Sequence, residues 1–467
     1  MIPGSRPPGV EGRHPTATAP DRMLAFAGAA VLATLGFEIV PLPIRAQITP
    51  LATLIAIVAL PAALGRVRAL PRSPIFTAVL AFVAFATVHS VVALGIDALA
   101  CGPSQIRTTA WLRQLAALAA GAAVFAVLRV TLQELPDRTV ARTVAIGALP
   151  GVLLAAVNVA WGALRVVPAA RIVTIVRYTV IPPGLKVPGN FSDPGRASGF
   201  CFEPSHFSIF LATIAIPATV VWLAGTRRRR WLPIALIALE SVALLWAFSI
   251  TGVAVVAAIL LALAVVGRFR RLALAALASG CVVLAVLTAT FPKNYIAHQV
   301  RKVAWMLARG DYADLPPSVT VVFYGTFGPF ARALSSLNLL GYGLGGTATH
   351  AAAILPPAAL RDIKLASWSD MPNLTTSVGR VFAETGLVGL GLFAAMWVTA
   401  FRRLSRRPGA PPPGGLSPTL RVAAVAGVVG LAIAHTIKLG SFAIPFMWFW
   451  LAYLDARTTA GGADRSS

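Results

Sequence analysis

The chain is poor in charge, and poorer still in acid. Of 467 residues only 12% are charged, and 16 aspartates and glutamates stand against 40 lysines and arginines, a net charge of +24. A soluble globular domain carries about 25% charged residues. With 57% hydrophobic residues and a mean hydropathy of +0.78, there is too little polar surface to cover a water-soluble fold. Lipid must therefore solvate much of the chain. Cysteine is scarce as well: Cys101, Cys201 and Cys281 match no zinc or haem spacing. A pairing of Cys101 with Cys201 stays open, since both fall outside the cytoplasm in the topology below, but isolated thiols are the simpler reading. No His/Cys/Asp cluster has metal-ligand spacing, so no metal is expected. No Gly-x-Ser-x-Gly elbow and no Gly-Lys-Ser/Thr loop occurs, which removes serine hydrolases of that type and P-loop nucleotide enzymes. No cofactor is implied. Internal repeats of the kind many transporters carry are also missing.

What is present is a series of apolar runs. A helix needs about 20 mostly apolar residues to cross a bilayer. Runs of that kind fall near 23–41, 48–65, 73–95, 109–131, 140–163, 205–224, 231–249, 251–267, 271–291, 378–400, 420–437 and 440–454. The fold expected is therefore all-α, a polytopic helix bundle with about twelve crossings. The stretch 231–267 is about twice too long for one crossing, and Ser249, Thr251 and Gly252 mark a turn within it. The positive charge does not signal nucleic acid, because it sits in short loops between apolar runs. Arg66, Arg68 and Arg72, then Arg138 and Arg142, Arg227 to Arg230, Arg268, Arg270 and Arg271, and finally Arg402, Arg403, Arg406 and Arg407 all fall on one side under this count. The other side carries little beyond Arg45 and Arg107 in its short loops. The positive-inside rule then places both termini in the cytoplasm of a cell with an inner membrane. Residues 1–22 read as a disordered cytoplasmic tail, 23–454 as the membrane bundle and 455–467 as a second cytoplasmic tail. Two long outer loops, 168–204 and 292–377, are expected to carry short helices and function. One stretch of the second loop, His298 to Leu307, is amphipathic and suits the membrane interface.

Chemistry-bearing residues gather on that outer side. The first long loop ends in "RASGFCFEPSHF", Arg196 to Phe207, and runs straight into an apolar span. Pro204 fits a first helical turn and Glu203 favours a helix N-terminus. Arg196 is a candidate for binding an anionic group, and Glu203 or His206 for handling a proton, against a plainer reading of capping and anchoring. Three ionisable groups near a membrane are costly unless used. The second loop holds Arg332, then the glycine-rich "LGYGLGG" over Leu340 to Gly346, then His350. Its glycines permit close backbone approach to a ligand. His350 is balanced between a structural and a catalytic role. Arg380 and Glu384, four residues apart, share one helix face and either neutralise each other or bind substrate. His435 and Lys438 read as interfacial, and Glu240 as an intramembrane carboxylate without an obvious partner.

These segments resemble the O-antigen polymerase and O-antigen ligase superfamily, the Wzy-like glycan polymerases. "RASGFCFEPSHF" is similar to the family's Arg-x-x-Gly…Glu-Pro segment opening a central helix. "RALSSLNLLGYGLG", Arg332 to Gly345, is similar to its Arg-containing helix and Gly-x-Gly turn. "NLTTSVGRVFAETGLVGLGLF", Asn373 to Phe393, is similar to the Glu-x-Gly stretch that begins the next span. The likeness covers about residues 190–400. It implies glycosyl transfer on the periplasmic face, from a glycan carried on polyprenyl pyrophosphate, with Arg196 and Arg332 on the pyrophosphate and Arg380 as a further basic partner. Guanidinium forks suit phosphate oxygens. The ligase branch has a histidine near the start of the third segment, where this chain has Asn373. That favours a polymerase making a surface or exopolysaccharide, with Glu203, His206 or His350 as base. A ligase and a transporter of lipid-linked oligosaccharide or solute remain the alternatives. Partners implied are the bilayer, the lipid-linked glycan, a flippase and a chain-length regulator.

Overall fold

A computed structural model describes residues 19–38, 50–164, 196–201, 203–247, 249–265, 270–290, 317–336, 338–347, 349–350, 376–404 and 416–463. The amphipathic stretch 298–307, Asn373, most of both long loops and most of the first tail lie outside them, while 455–463 of the second tail continue the last helix. The described residues are all-helical. In chain order the helices are α1 (Ala19–Ala33), α2 (Leu51–Ala69), α3 (Pro74–Cys101), α4 (Gln105–Glu134) and α5 (Asp137–Leu164). Next come α6 (Pro204–Ala224), α7 (Trp231–Trp246), α8 (Ile250–Val265), α9 (Arg270–Thr290) and α10 (Pro317–Ser336). The last are α11 (Ser377–Leu404), α12 (Pro418–Ile437) and α13 (Phe446–Ala463). Among the described residues seven, α2 to α6, α11 and α12, are long and apolar enough to cross a membrane.

Local sequence explains where several helices begin. Ser73, Ser104 and Ser417 each accept a backbone N–H three residues on, at 3.1, 3.4 and 3.3 Å, and Pro74 and Pro418 follow two of them. These are N-caps with proline where no N–H is needed. The 231–267 stretch is two helices of 16 residues, and the Ser249 hydroxyl accepts from Gly252 N–H at 3.2 Å to start the second. Central α6 widens into a π turn over Leu211–Ala215, just before Pro217. Large apolar side chains cover the periphery: Phe26, Val58, Leu99 and Val265 are each more than three-quarters exposed, as lipid-facing groups are.

The described arginines of these clusters sit at helix ends that share one end of the bundle. Arg66 at the end of α2 pairs with Glu134 at the end of α4. Arg457 of α13 pairs with Asp137 at the start of α5 at 2.6 Å and donates to Leu135 O. Arg421 at the start of α12 donates to Leu404 O at the end of α11 at 2.8 Å. Below them Arg129 and Asp455, both fully buried, form an ion pair that also gathers Ser73, Pro71 O and the Phe76 ring. A buried pair of this kind is fully hydrogen-bonded, as burial demands.

One expectation needs correcting. The apolar run 440–454 is not one helix. After α12 the chain turns back at Lys438 and dips inward before α13 begins at Phe446. Phe442 reaches Phe82 and Phe393 at 5.7 and 6.5 Å between centroids. Phe82 lies about 12 Å along α3 from the arginine-rich end. Non-helical backbone at such depth needs partners from elsewhere. They come from separate elements: Ser377 on Leu439 O, Arg380 on Gly440 O, Trp448 on Phe442 O at 2.8 Å and Thr53 on Ala443 O at 2.9 Å.

Candidate functional site

The end of the bundle opposite the arginine clusters holds a polar network built around this dipping segment. On one side stands the first half of α11. Arg380 Nε pairs with Glu384 at 3.2 Å, and both side chains are 1% exposed. The four-residue spacing legible in the sequence thus gives a buried pair. Arg380 Nη1 donates to Gly440 O, and its Nη2 is buried without a hydrogen-bond partner among the described residues. Glu384 Oε1 accepts from Gly345 N–H and the Thr347 hydroxyl, both at 3.0 Å.

The glycine-rich loop is therefore seated on α11. Tyr342 N–H donates to Ala383 O at 2.8 Å, and Leu387 N–H donates to Leu339 O at 2.9 Å. The seat depends on Gly386, where the helix breaks with φ +66° and ψ −164°. A Cβ there would lie 2.3 Å from Leu339 O and 2.4 Å from Leu340 O. Only glycine fits such an approach. On its other side the loop is held by α3 and α4. Ser90 accepts from Leu344 N–H at 2.8 Å. Arg107, 3% exposed, pairs with Asp97 at 2.8 Å and donates to Leu344 O at 3.0 Å and to Tyr342 O.

Arg332 is exposed on α10, beside a small cavity bounded by Asn338, Gly341, Tyr342, Phe382 and Ala383. Stacking of Phe330 on Phe382, at 4.2 Å, fixes that helix to α11. His350 stacks on Tyr342 at 4.2 Å, with Nδ1 3.1 Å from Gly346 O. It closes the end of the glycine-rich loop.

On the other side stands the start of α6. Glu203 sits 2.8 Å from Lys438 Nζ and accepts from the Ser205 hydroxyl at 2.8 Å. Burial alone would push the Glu203 carboxyl up. Lys438 and His206 outweigh it, and with the hydrogen bonds from Lys438 and Ser205 they bring the value to about 2. A carboxyl so acidic stays ionised at neutral pH and is a poor base. His206 Nδ1 lies 3.0 Å from a Glu38 carboxylate oxygen. A carboxylate on one ring nitrogen orients the ring for proton transfer at the other. Arg196 Nε donates to Ala247 O at 3.3 Å, at the corner between α7 and α8, and Ala197 N–H donates to Trp246 O at 3.2 Å.

The network thus brings Glu203, His206 and Arg380 around Lys438–Gly440, with Arg332 and His350 on the glycine-loop side and Arg196 at the α7–α8 corner. Sequence reasoning missed Glu38, whose signal was a carboxylate closing an apolar run. It also missed Asp97, and it took Lys438 and His435 for interfacial groups. His435 is buried against Phe393 and Trp397, with Nδ1 3.0 Å from the Ser377 hydroxyl. Glu240 has a partner after all, the Thr219 hydroxyl at 3.0 Å. The three cysteines are separate free thiols, and buried Cys201 donates to Gly36 O at 3.4 Å. Among the described residues no three His, Cys, Asp or Glu side chains gather for a metal. Comparison with known proteins finds no family model that matches this chain and no match among curated proteins.

Proposed function

We propose that this chain is a membrane glycosyltransferase that polymerises glycan repeat units carried on polyprenyl pyrophosphate. It would have about twelve crossings of an inner membrane, both termini in the cytoplasm and its site on the periplasmic face. The observation that carries the reading is the convergence of three distant stretches on one network. Glu203 joins the first to Lys438, Gly345 joins the second to Glu384, and Arg380 joins the third to Gly440. These are the stretches that resemble the glycan-polymerase family.

In this reading Arg196, Arg332 and Arg380 hold the pyrophosphate of the donor. Guanidinium groups stabilise the charge that grows on it as the bond from the anomeric carbon to the phosphate oxygen breaks. The electron pair leaves with the pyrophosphate. A hydroxyl of the acceptor repeat unit forms the new bond to that carbon, and its proton passes to His206, held by Glu38. Glu203 keeps Lys438 in place and does not act as base. A flippase would deliver the repeat units and a chain-length regulator would set product size. Arg332→Ala and Arg196→Ala, each present in the membrane at the wild-type level, should abolish polymer in cells, read as loss of the glycan ladder on a gel. Wild-type chain lengths in both variants would reject the reading.

A further inference from the structure

A second basic feature lies at the other end of the molecule and plays no part in the network above. Between α1 and α5 runs a groove of about 580 Å³, lined by Ala33, Arg138, Thr139, Arg142, Thr143 and Ile146. The five α5 residues form one stripe, at spacings of one and four. Along it the chemistry changes in order. Arg138 and Arg142 stand towards the arginine-rich end, two threonine hydroxyls beside them, and Ile146, 46% exposed, deeper in. The floor is where the helices touch: a Cβ on Gly147 would lie 2.2 Å from Ala33 O.

Among the described side chains no acid pairs with either arginine. Three carboxylates at this end are committed elsewhere, Glu134 to Arg66, Asp137 to Arg457 and Asp455 to Arg129. Neither Arg138 nor Arg142 forms an ion pair or hydrogen bond among the described residues. A groove with two guanidinium groups and two hydroxyls at its mouth, and an apolar wall below, fits one class of molecule. We infer that it holds an anionic phospholipid of the adjacent leaflet, its headgroup phosphate on Arg138, Arg142, Thr139 and Thr143 and an acyl chain along Ile146 and Ala33. The inference needs only that the chain sits in a bilayer, and is independent of glycan transfer.

The test uses the full chain purified into micelles containing equal phosphatidylglycerol and phosphatidylcholine, with retained lipid counted by native mass spectrometry. Wild type should retain phosphatidylglycerol in preference. Arg138→Gln or Arg142→Gln should lower retention about fivefold each, and the double variant about thirtyfold. Both positions are exposed, so folding should survive, checked by an unchanged thermal midpoint. Ile146→Trp keeps both guanidinium groups but fills the groove, and should also abolish retention. Equal retention of the two lipids by wild type would overturn the inference. Retention that survives Ile146→Trp would place the lipid on the general basic surface and overturn it too. Loss in Ile146→Trp alone, with the arginine variants unaffected, would point to a neutral occupant and equally reject it.

Discussion

Replacing Gly386 by alanine should unseat the glycine-rich loop. The perturbation is one methyl group, and its position is known: 2.3 and 2.4 Å from the carbonyl oxygens of Leu339 and Leu340. Those are backbone atoms, so no side chain can swing aside. The backbone at Gly386 also sits at φ +66° and ψ −164°, a region only glycine occupies readily. Forcing alanine there costs about 1–3 kcal/mol. Relief requires the loop to withdraw, which gives up the Tyr342–Ala383 and Leu387–Leu339 hydrogen bonds. Each contributes about 1 kcal/mol net. The total loss is about 3–5 kcal/mol. The assay is unfolding of the purified chain in detergent, with Gly391→Ala as control. Gly391 lies on the same helix with nothing within 4 Å of an added Cβ, so alanine there should be neutral or stabilise by about 1 kcal/mol. Equal stability of Gly386→Ala and Gly391→Ala would refute the packing argument.

Two further changes probe the groups around the loop and the start of α6. Arg107→Lys should cost about 2–3 kcal/mol and lower activity, because an ammonium cannot serve Asp97 and two carbonyls at once; the figure is below that for a fully buried pair since Asp97 is 31% exposed. Unchanged unfolding of this variant would show that the fork does not hold the loop. Glu203→Gln tests linkage. A carboxyl held at about 2, against an ordinary 4.5, stabilises the fold when ionised. The wild-type advantage over Glu203→Gln should therefore be constant above about pH 4.5 and shrink as pH falls towards 2. Thermal midpoints across that range would show it, and a difference that stays level down to pH 2 would contradict the Lys438 pairing.

Much of the scaffold was legible because it depends on local rules. Apolar length pointed to an all-helical bundle, Pro204 marked the start of α6, and the Ser249–Gly252 break separated α7 from α8. The Arg380–Glu384 pair followed from four-residue spacing on one face. What was not legible depends on partners far apart in sequence. Nothing near Glu38 announces His206, 168 residues on. Nothing near Arg107 announces the carbonyls of Tyr342 and Leu344. Hydropathy also cannot tell an apolar run that crosses a bilayer from one that dips into a bundle and is satisfied by neighbours. That is why 440–454 read as a helix, although Gly440 and Pro445 were the available signals. Lys438 read as a surface anchor for the same reason: its partner Glu203 belongs to a helix whose start it meets only in the fold.

Glycan transfer can be read out directly by reconstitution. The purified chain, reconstituted in vesicles, is given a polyprenyl-pyrophosphate-linked repeat unit with no nucleotide sugar and no metal added. The expected result is a ladder of lipid-linked multimers that grows with time. A repeat unit that crosses the vesicle membrane unchanged, with no multimer formed, would make the chain a transporter and contradict the account.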